Sequence, residues 1–212
     1  MELRLPELHV ITSGKQTLEE VLAMAEAAYA GGMNYLHIRE KQRTAREYME
    51  WLYALRRVVP ASCLIVNDRA DAAVASGCRG VHLAYHSLSV REARTVIAPG
   101  QTVGKSVHSY AEAVEAAADG ADYLLYGHIY PSASKPGLAP RGTREVKKIT
   151  QAVSIPVIGL GGITPQHVEE VLHAGCAGIA VMSGITAADD VKKATAAYRQ
   201  ELDRFALEGD SK

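Results

Sequence analysis

The feature that most constrains this chain is an alternation. Short β-branched apolar runs and Ala-rich amphipathic stretches follow one another eight times from end to end. The apolar runs occupy 8–12, 35–39, 63–68, 80–83, 102–107, 123–127, 156–161 and 178–183. Helical patterns lie between them, at 18–29, 45–58, 90–97, 111–118, 144–152, 165–173 and 189–207. Their apolar residues recur at three- and four-residue spacing, as with Val21, Met24, Ala25 and Ala28. Thr17 ahead of Glu19 and Glu20, and Thr164-Pro165, read as helix starts. Gly31-Gly32, Gly77, Gly120 and Gly175 read as helix stops. Strict βα order means a parallel sheet covered by helices, and eight units of about 25 residues close into a barrel. The expected architecture is therefore one (β/α)8 TIM barrel of the α/β class over 1–212, with no room for a second domain. An open doubly wound sheet would place Gly-x-Gly-x-x-Gly after the first strand, where Ile11-Thr12-Ser13-Gly14-Lys15 stands instead.

Composition removes several classes of function. A net charge of −1 supplies no field for nucleic acid or an anionic membrane surface. No stretch approaches the roughly 20 apolar residues of a membrane span. The first ten residues carry Glu2, Arg4, Pro6 and Glu7 where a signal peptide needs an apolar run. Cys63, Cys78 and Cys176 are odd in number and far apart, with small or apolar neighbours, which reads as reduced buried thiols. A cytoplasmic location is expected, and a homo-oligomer is allowed with its face unassigned.

In a barrel of this kind chemistry collects where strands end. Strand two ends His37-Ile38-Arg39-Glu40-Lys41, strand three Asn67-Asp68-Arg69, strand five Gly104-Lys105-Ser106-Val107-His108, and strand six Gly127-His128-Ile129-Tyr130. Alternation places His37, Arg39 and Lys41 on one side, with Arg39 and Lys41 at the mouth. The competing structural reading is an ion-pair network of these cations with Asp68 and Glu40. Gly161-Gly162 after strand seven and Ser183-Gly184 after strand eight form two glycine-bearing loops that suit phosphate. The loop from 128 to 141, with Ser132, Ser134 and Lys135, is long enough for a lid. His37, His82, His108 and His128 lack metal-ligand spacing, so neither a metal nor a cofactor is expected. His82 and His108 suit hydrogen-bonded wall positions, whereas His128 ends its strand and opens the lid loop.

These pieces, taken in order, resemble the thiamin phosphate synthase superfamily over nearly the whole chain. The matching segments are Arg39-Glu40-Lys41, Val66-Asn67-Asp68-Arg69, Gly80-Val81-His82-Leu83, Gly104-Lys105-Ser106-Val107-His108, Pro131-Ser132-Ala133-Ser134-Lys135, Gly159-Leu160-Gly161-Gly162 and Ala180-Val181-Met182-Ser183-Gly184. Two departures resemble the TenI branch, the thiazole tautomerases. Gly127-His128-Ile129-Tyr130-Pro131 stands where the synthase has Gly-Pro-Ile-Phe-Pro, and Ser87 stands where it has a magnesium-binding Asp. The resemblance implies an isomerase that aromatises a carboxythiazole phosphate of thiamin biosynthesis, with His128 as acid and base. Its substrate would lie on Arg39, Lys41, Asn67, Ser106, Ser132, Ser134, Lys135, Gly161, Gly162, Ser183 and Gly184. Three alternatives stay open: the magnesium-dependent synthase, for which Asn67-Asp68 and the hydroxyl-rich loop still speak; a non-catalytic regulator; and an unrelated phosphate-binding barrel isomerase.

Overall fold

The computed structural model describes residues 5–132 and 137–209. Eight parallel strands pair in sequence order, and β8 returns to β1 to close the barrel. They are β1 Glu7–Ile11, β2 Tyr35–Ile38, β3 Leu64–Asn67, β4 Gly80–Leu83, β5 Thr102–Val107, β6 Tyr123–Gly127, β7 Val157–Leu160 and β8 Gly178–Val181. The helices are α1 Leu18–Ala30, α2 Ala45–Leu55, α3 Ala70–Ser76, α4 Val90–Val96, α5 Tyr110–Ala118, α6 Gly142–Ala152, α7 Val168–His173, α8 Ser183–Thr186 and α9 Val191–Gly209. The expected TIM barrel is therefore found. No described helix is long and apolar enough to cross a membrane.

Local chemistry explains the helix starts. Thr17, Thr44 and Ser89 each close a capping box with Glu20, Glu47 and Glu92, which satisfies amides that the first turn leaves without partners. Burial supplies the rest. Alternate strand residues such as Leu8, Val10, Leu36, Val66, Val81 and Val103 point outward into one large core beneath the helices. The other set points inward, where Ile11, Ile65, Leu125, Ile158 and Ala180 form a second, smaller cluster. This double burial is why the strands read as continuous apolar runs.

Three differences from the sequence reading have local causes. Helix α3, seven residues long, was not among the helical patterns, because so short an Ala-rich segment has barely two turns of periodicity. Helix α2 ends at Leu55, and Arg57 and Val58 instead make tighter turns onto Ala54 and Leu55. Strand β2 ends at Ile38, so alternation does not carry to Lys41, which lies exposed in a turn.

Inside the barrel the lumen is unusually polar. His9 Nε2 lies 3.1 Å from Glu7 Oε2, and His9 Nδ1 lies 2.8 Å from His37 Nε2. A carboxylate accepts, so His9 donates through Nε2 and receives the Nε2 proton of His37. That leaves the His37 Nδ1 lone pair, the one ring nitrogen here that has no partner. His82 reaches Tyr123 OH through Nδ1 at 3.2 Å and Ser106 Oγ through Nε2 at 2.8 Å. Burial, reinforced by neighbouring charged or chargeable groups, holds His37 well below the usual range and His82 down to about 3. Both imidazoles are thus neutral at physiological pH.

Candidate active site

The C-terminal ends of the strands form a mouth with two unlike sides. On the β6–β8 side, His128 directly follows β6 and is 8% exposed. Its Nε2 lies 3.3 Å from the Leu138 carbonyl. A carbonyl only accepts, so the neutral ring carries its proton on Nε2 and its lone pair on Nδ1. The segment is pinned from both flanks. Ile129 and Tyr130 amides donate to Leu160 and Gly161, while Arg141 and Gly142 amides donate back to His128 and Ile129. Tyr130 OH also donates to Glu170 at 2.7 Å, and its ring stacks on His167. The stem of the long loop is therefore fixed. Ser134 and Lys135, named for substrate contact, lie outside the described residues, and Ser132 at the stem is half-buried.

Gly161 and Gly162 have a structural task of their own. Both adopt positive φ, 98° and 67°. A Cβ on Gly161 would collide with the Cα and Cβ of His128, and one on Gly162 with the carbonyls of Tyr130 and Pro131. The glycine pair is what lets the His128 segment lie against the β7 loop. Glycine identity alone therefore no longer speaks for an anion; position does. Ser183 and Gly184, both exposed, open α8 at the adjacent strand end, and the first turn of a helix leaves its amides without internal acceptors.

The β2–β5 side is built from side chains. Among the described residues no ion pair within 4 Å joins Arg39, Lys41, Asp68 or Glu40 to anything, so the proposed internal ion-pair network is not formed. Glu40 is instead buried and accepts from Thr12 Oγ1 at 2.8 Å. Burial raises its carboxyl, against the opposing pull of Thr12, Arg43 and Arg39. The Arg39 amide donates to the same Thr12 hydroxyl, and Arg39 is partly exposed beside it. Asn67 ends β3 in register with His82. If Tyr123 donates to His82, the His82 Nε2–H goes to Ser106 Oγ and the serine proton is left for a ligand at the mouth. His82 is thus the wall residue its neighbours suggested. His108, half-exposed, instead sits at the start of α5, with its amide and ring on Glu112.

The magnesium ion that the superfamily resemblance implies does not fit the residues present. Asp68 survives, with φ 70° and its amide on the His82 carbonyl. Ser87 brings no carboxylate, and its hydroxyl is occupied in accepting the Ala84 amide at 2.7 Å. Among the described residues no group of three or more His, Cys, Asp or Glu could hold a metal. Magnesium takes an octahedron of oxygens from one or two carboxylates, substrate phosphate and water, and this corner keeps one carboxylate of the family's pair. A groove of about 560 Å³ runs outside the barrel between α3 and α4 and shares only Asp68 and Arg69 with the strand ends.

Sequence reasoning missed Lys105, His9 and Tyr123 as parts of this system. His9 lies mid-strand in β1 and Tyr123 opens β6, where a polar residue gives no sign that rings from other strands meet it. Lys105 stood within a quoted motif, but nothing local says where its ammonium goes.

A closed (β/α)8 barrel with a nearly buried histidine at the strand ends, beside two glycine-bearing loops, defines a class: barrels that act on small molecules at the C-terminal face. The chain matches the family described as thiamine monophosphate synthase (TMP-TENI) over residues 8–185, and it belongs to that family. It is 41% identical over 202 residues to the thiamine-phosphate synthase of Haloquadratum walsbyi, covering 93% of this chain and 89% of that one. To the thiamine-phosphate synthase of Methanoculleus marisnigri it is 40% identical over 186 residues, 86% of this chain and 87% of the relative. The solved structure of thiamine phosphate pyrophosphorylase from Pyrococcus furiosus superposes with a TM-score of 0.84 at 34% identity, covering 95% of this chain and 98% of that one. These names are those of the transferase, the first of the three alternatives drawn from the sequence, and they do not single out the tautomerase branch.

Proposed function

We propose that the mouth binds a phosphorylated thiazole of thiamin biosynthesis and that His128 isomerises it. The observation that carries this reading is the pairing of His128 with a corner that lacks a second carboxylate. A transferase acting on a pyrophosphate must neutralise a highly charged leaving group, commonly with a metal held by carboxylates. A tautomerisation develops far less charge. His128 Nδ1 takes the proton from ring carbon C2, and the C2–H electron pair enters the ring. The exocyclic double bond then takes a proton back from the imidazolium, so no atom or electron is gained or lost. One group that serves as base and then acid near neutral pH suits histidine. Substrate phosphate is assigned to the backbone of Gly161, Gly162, Ser183 and Gly184, where the opening turn of α8 supplies amides. Arg39, Asn67 and Ser106 belong to the opposite side, with Ser132, Lys41, Ser134 and Lys135 as further contacts from the loops. Turnover is expected to survive excess EDTA.

The transferase is the second reading, and a specific observation favours it: relatives at 40–41% identity carry that name. Asp68 is retained for it, and Ser132 stands at the stem of the loop after β6. Purified protein assayed in parallel separates the two. Aromatisation of the carboxythiazole phosphate in EDTA supports the isomerase. Magnesium-dependent joining of a pyrimidine pyrophosphate to a thiazole phosphate, with no tautomerisation, replaces it with the synthase.

A further inference from the structure

Lys105 lies on β5, level with Leu83 of β4, and is partly buried. Its Nζ donates to the Ala84 carbonyl at 2.9 Å, its one hydrogen bond among the described residues. The same carbonyl receives the Ser87 amide, and the Ser87 hydroxyl receives the Ala84 amide. Asp68, on the neighbouring strand end, is among the carboxylates whose field reaches this ammonium, together with Glu112 and Glu115, yet none lies within 4 Å of it. The Asp68 amide donates to the His82 carbonyl, two residues before Ala84, so the β3 and β4 ends bring to one corner three oxygens that a hard cation would seek: the Asp68 carboxylate, the Ala84 carbonyl and the Ser87 hydroxyl. Two of the three are already engaged, one of them by a positive charge.

We infer that the Lys105 ammonium is the resident cation of the β3–β5 side of the mouth and keeps a divalent ion from binding at Asp68. A fixed positive charge a few ångströms from a prospective dication opposes it directly, and partial burial limits the screening that water would provide. The plain structural alternative is that Lys105 only ties the 84–87 loop to β5. A glutamine distinguishes these roles, because it can still donate to the Ala84 carbonyl and carries no charge. This inference deepens the isomerase reading and shares its view of the mouth, but ion binding reads it out without turnover.

The experiment titrates Mn²⁺, as the probe ion, into wild type, Lys105→Arg, Ser87→Asp and the Ser87→Asp/Lys105→Gln pair, counting free ion by its electron paramagnetic resonance. Wild type and Lys105→Arg are expected to show no saturable site below about 1 mM, a range set by the missing carboxylate ligands. The double variant is expected to bind one ion at least about tenfold more tightly than Ser87→Asp alone. A tight single site in wild type overturns the inference, as does a folded double variant that binds no better than Ser87→Asp. If circular dichroism shows the double variant unfolded, Lys105→Gln with Ser87 intact is compared with wild type, and an unchanged affinity overturns the inference equally. Wild type that excludes Mn²⁺ but fails to tautomerise would remove the isomerase reading and leave this one standing.

Discussion

The two sides of the mouth present their polar groups in different ways. At β6–β8 the chain presents backbone: positive-φ glycines, the opening turn of α8, and one histidine clamped between strands. At β2–β5 it presents side chains whose polar atoms are held by other side chains: Glu40 by Thr12, Ser106 by His82, His82 by Tyr123. Backbone amides cannot titrate or rotate away, so the first side suits an anionic group that stays in place, such as phosphate. The second side can exchange donors for acceptors by changing a tautomer or a rotamer, which suits a group whose bonding changes. The difference teaches that charge at a strand end is a weak guide to its role. Glu40 and His82 are buried partners, while uncharged glycines seat the His128 segment against the β7 loop.

The largest way to break the β6–β8 side is to remove its one chemical group. His128→Asn keeps size and hydrogen-bonding capacity and is expected to lower kcat by roughly 10²- to 10⁴-fold. Product affinity, measured by calorimetry, should change little, and undiminished turnover would remove His128 from the mechanism.

Beneath the β2–β5 side, the buried histidines set an acid limit. His82 is held down to about 3 and His37 well below its usual range, chiefly by burial. A base whose folded pKa is depressed contributes stability that is complete above its unfolded value near 6.5 and is lost as pH falls below it. Unfolding free energy should therefore decline from about pH 6.5 downward, by up to a few kcal/mol. In denaturant titrations across pH, His82→Gln should flatten that slope. A slope identical to wild type would mean that His82 is charged, or solvated, in the native protein.

Gly162→Ala sharpens the comparison at smaller scale. A Cβ at φ 67° would press on the Tyr130 and Pro131 carbonyls. A cost of about 1–3 kcal/mol in stability is expected, together with a raised KM. If inorganic phosphate binds this variant as well as wild type at low temperature, the glycine serves packing alone and the phosphate assignment fails. The smallest effect belongs to neither side. Thr44→Ala removes the α2 capping box and should cost about 1 kcal/mol while leaving kcat and KM unchanged. A change in KM would show that the cap also positions the 39–44 turn that carries Arg39 and Lys41.

Much of the fold was legible before any coordinates. The eight strands fall within about two residues of the apolar runs because parallel strands buried on both faces need nearly every residue apolar. Boundaries slipped where tertiary partners decide them. β2 stops at Ile38 because the next residues turn to engage Thr12, on β1's far side in sequence. The site was legible in part. His128, Ser106 and the two glycine loops all stand at strand ends, but the task of Gly161 as a seat for His128 required both loops in space.

What the sequence determined by itself was periodic and local: the βα alternation that closes the barrel, the Thr and Ser caps, and the absence of a carboxylate at Ser87. Those depend on residue type and on neighbours a few positions away. The tertiary structure alone decided which polar groups meet. His9, His37, His82 and Tyr123 come from four strands and converge only because barrel closure turns their inward faces onto one axis. Lys105 and Ala84 meet because β4 and β5 pair in one register rather than another, and no local pattern encodes that register.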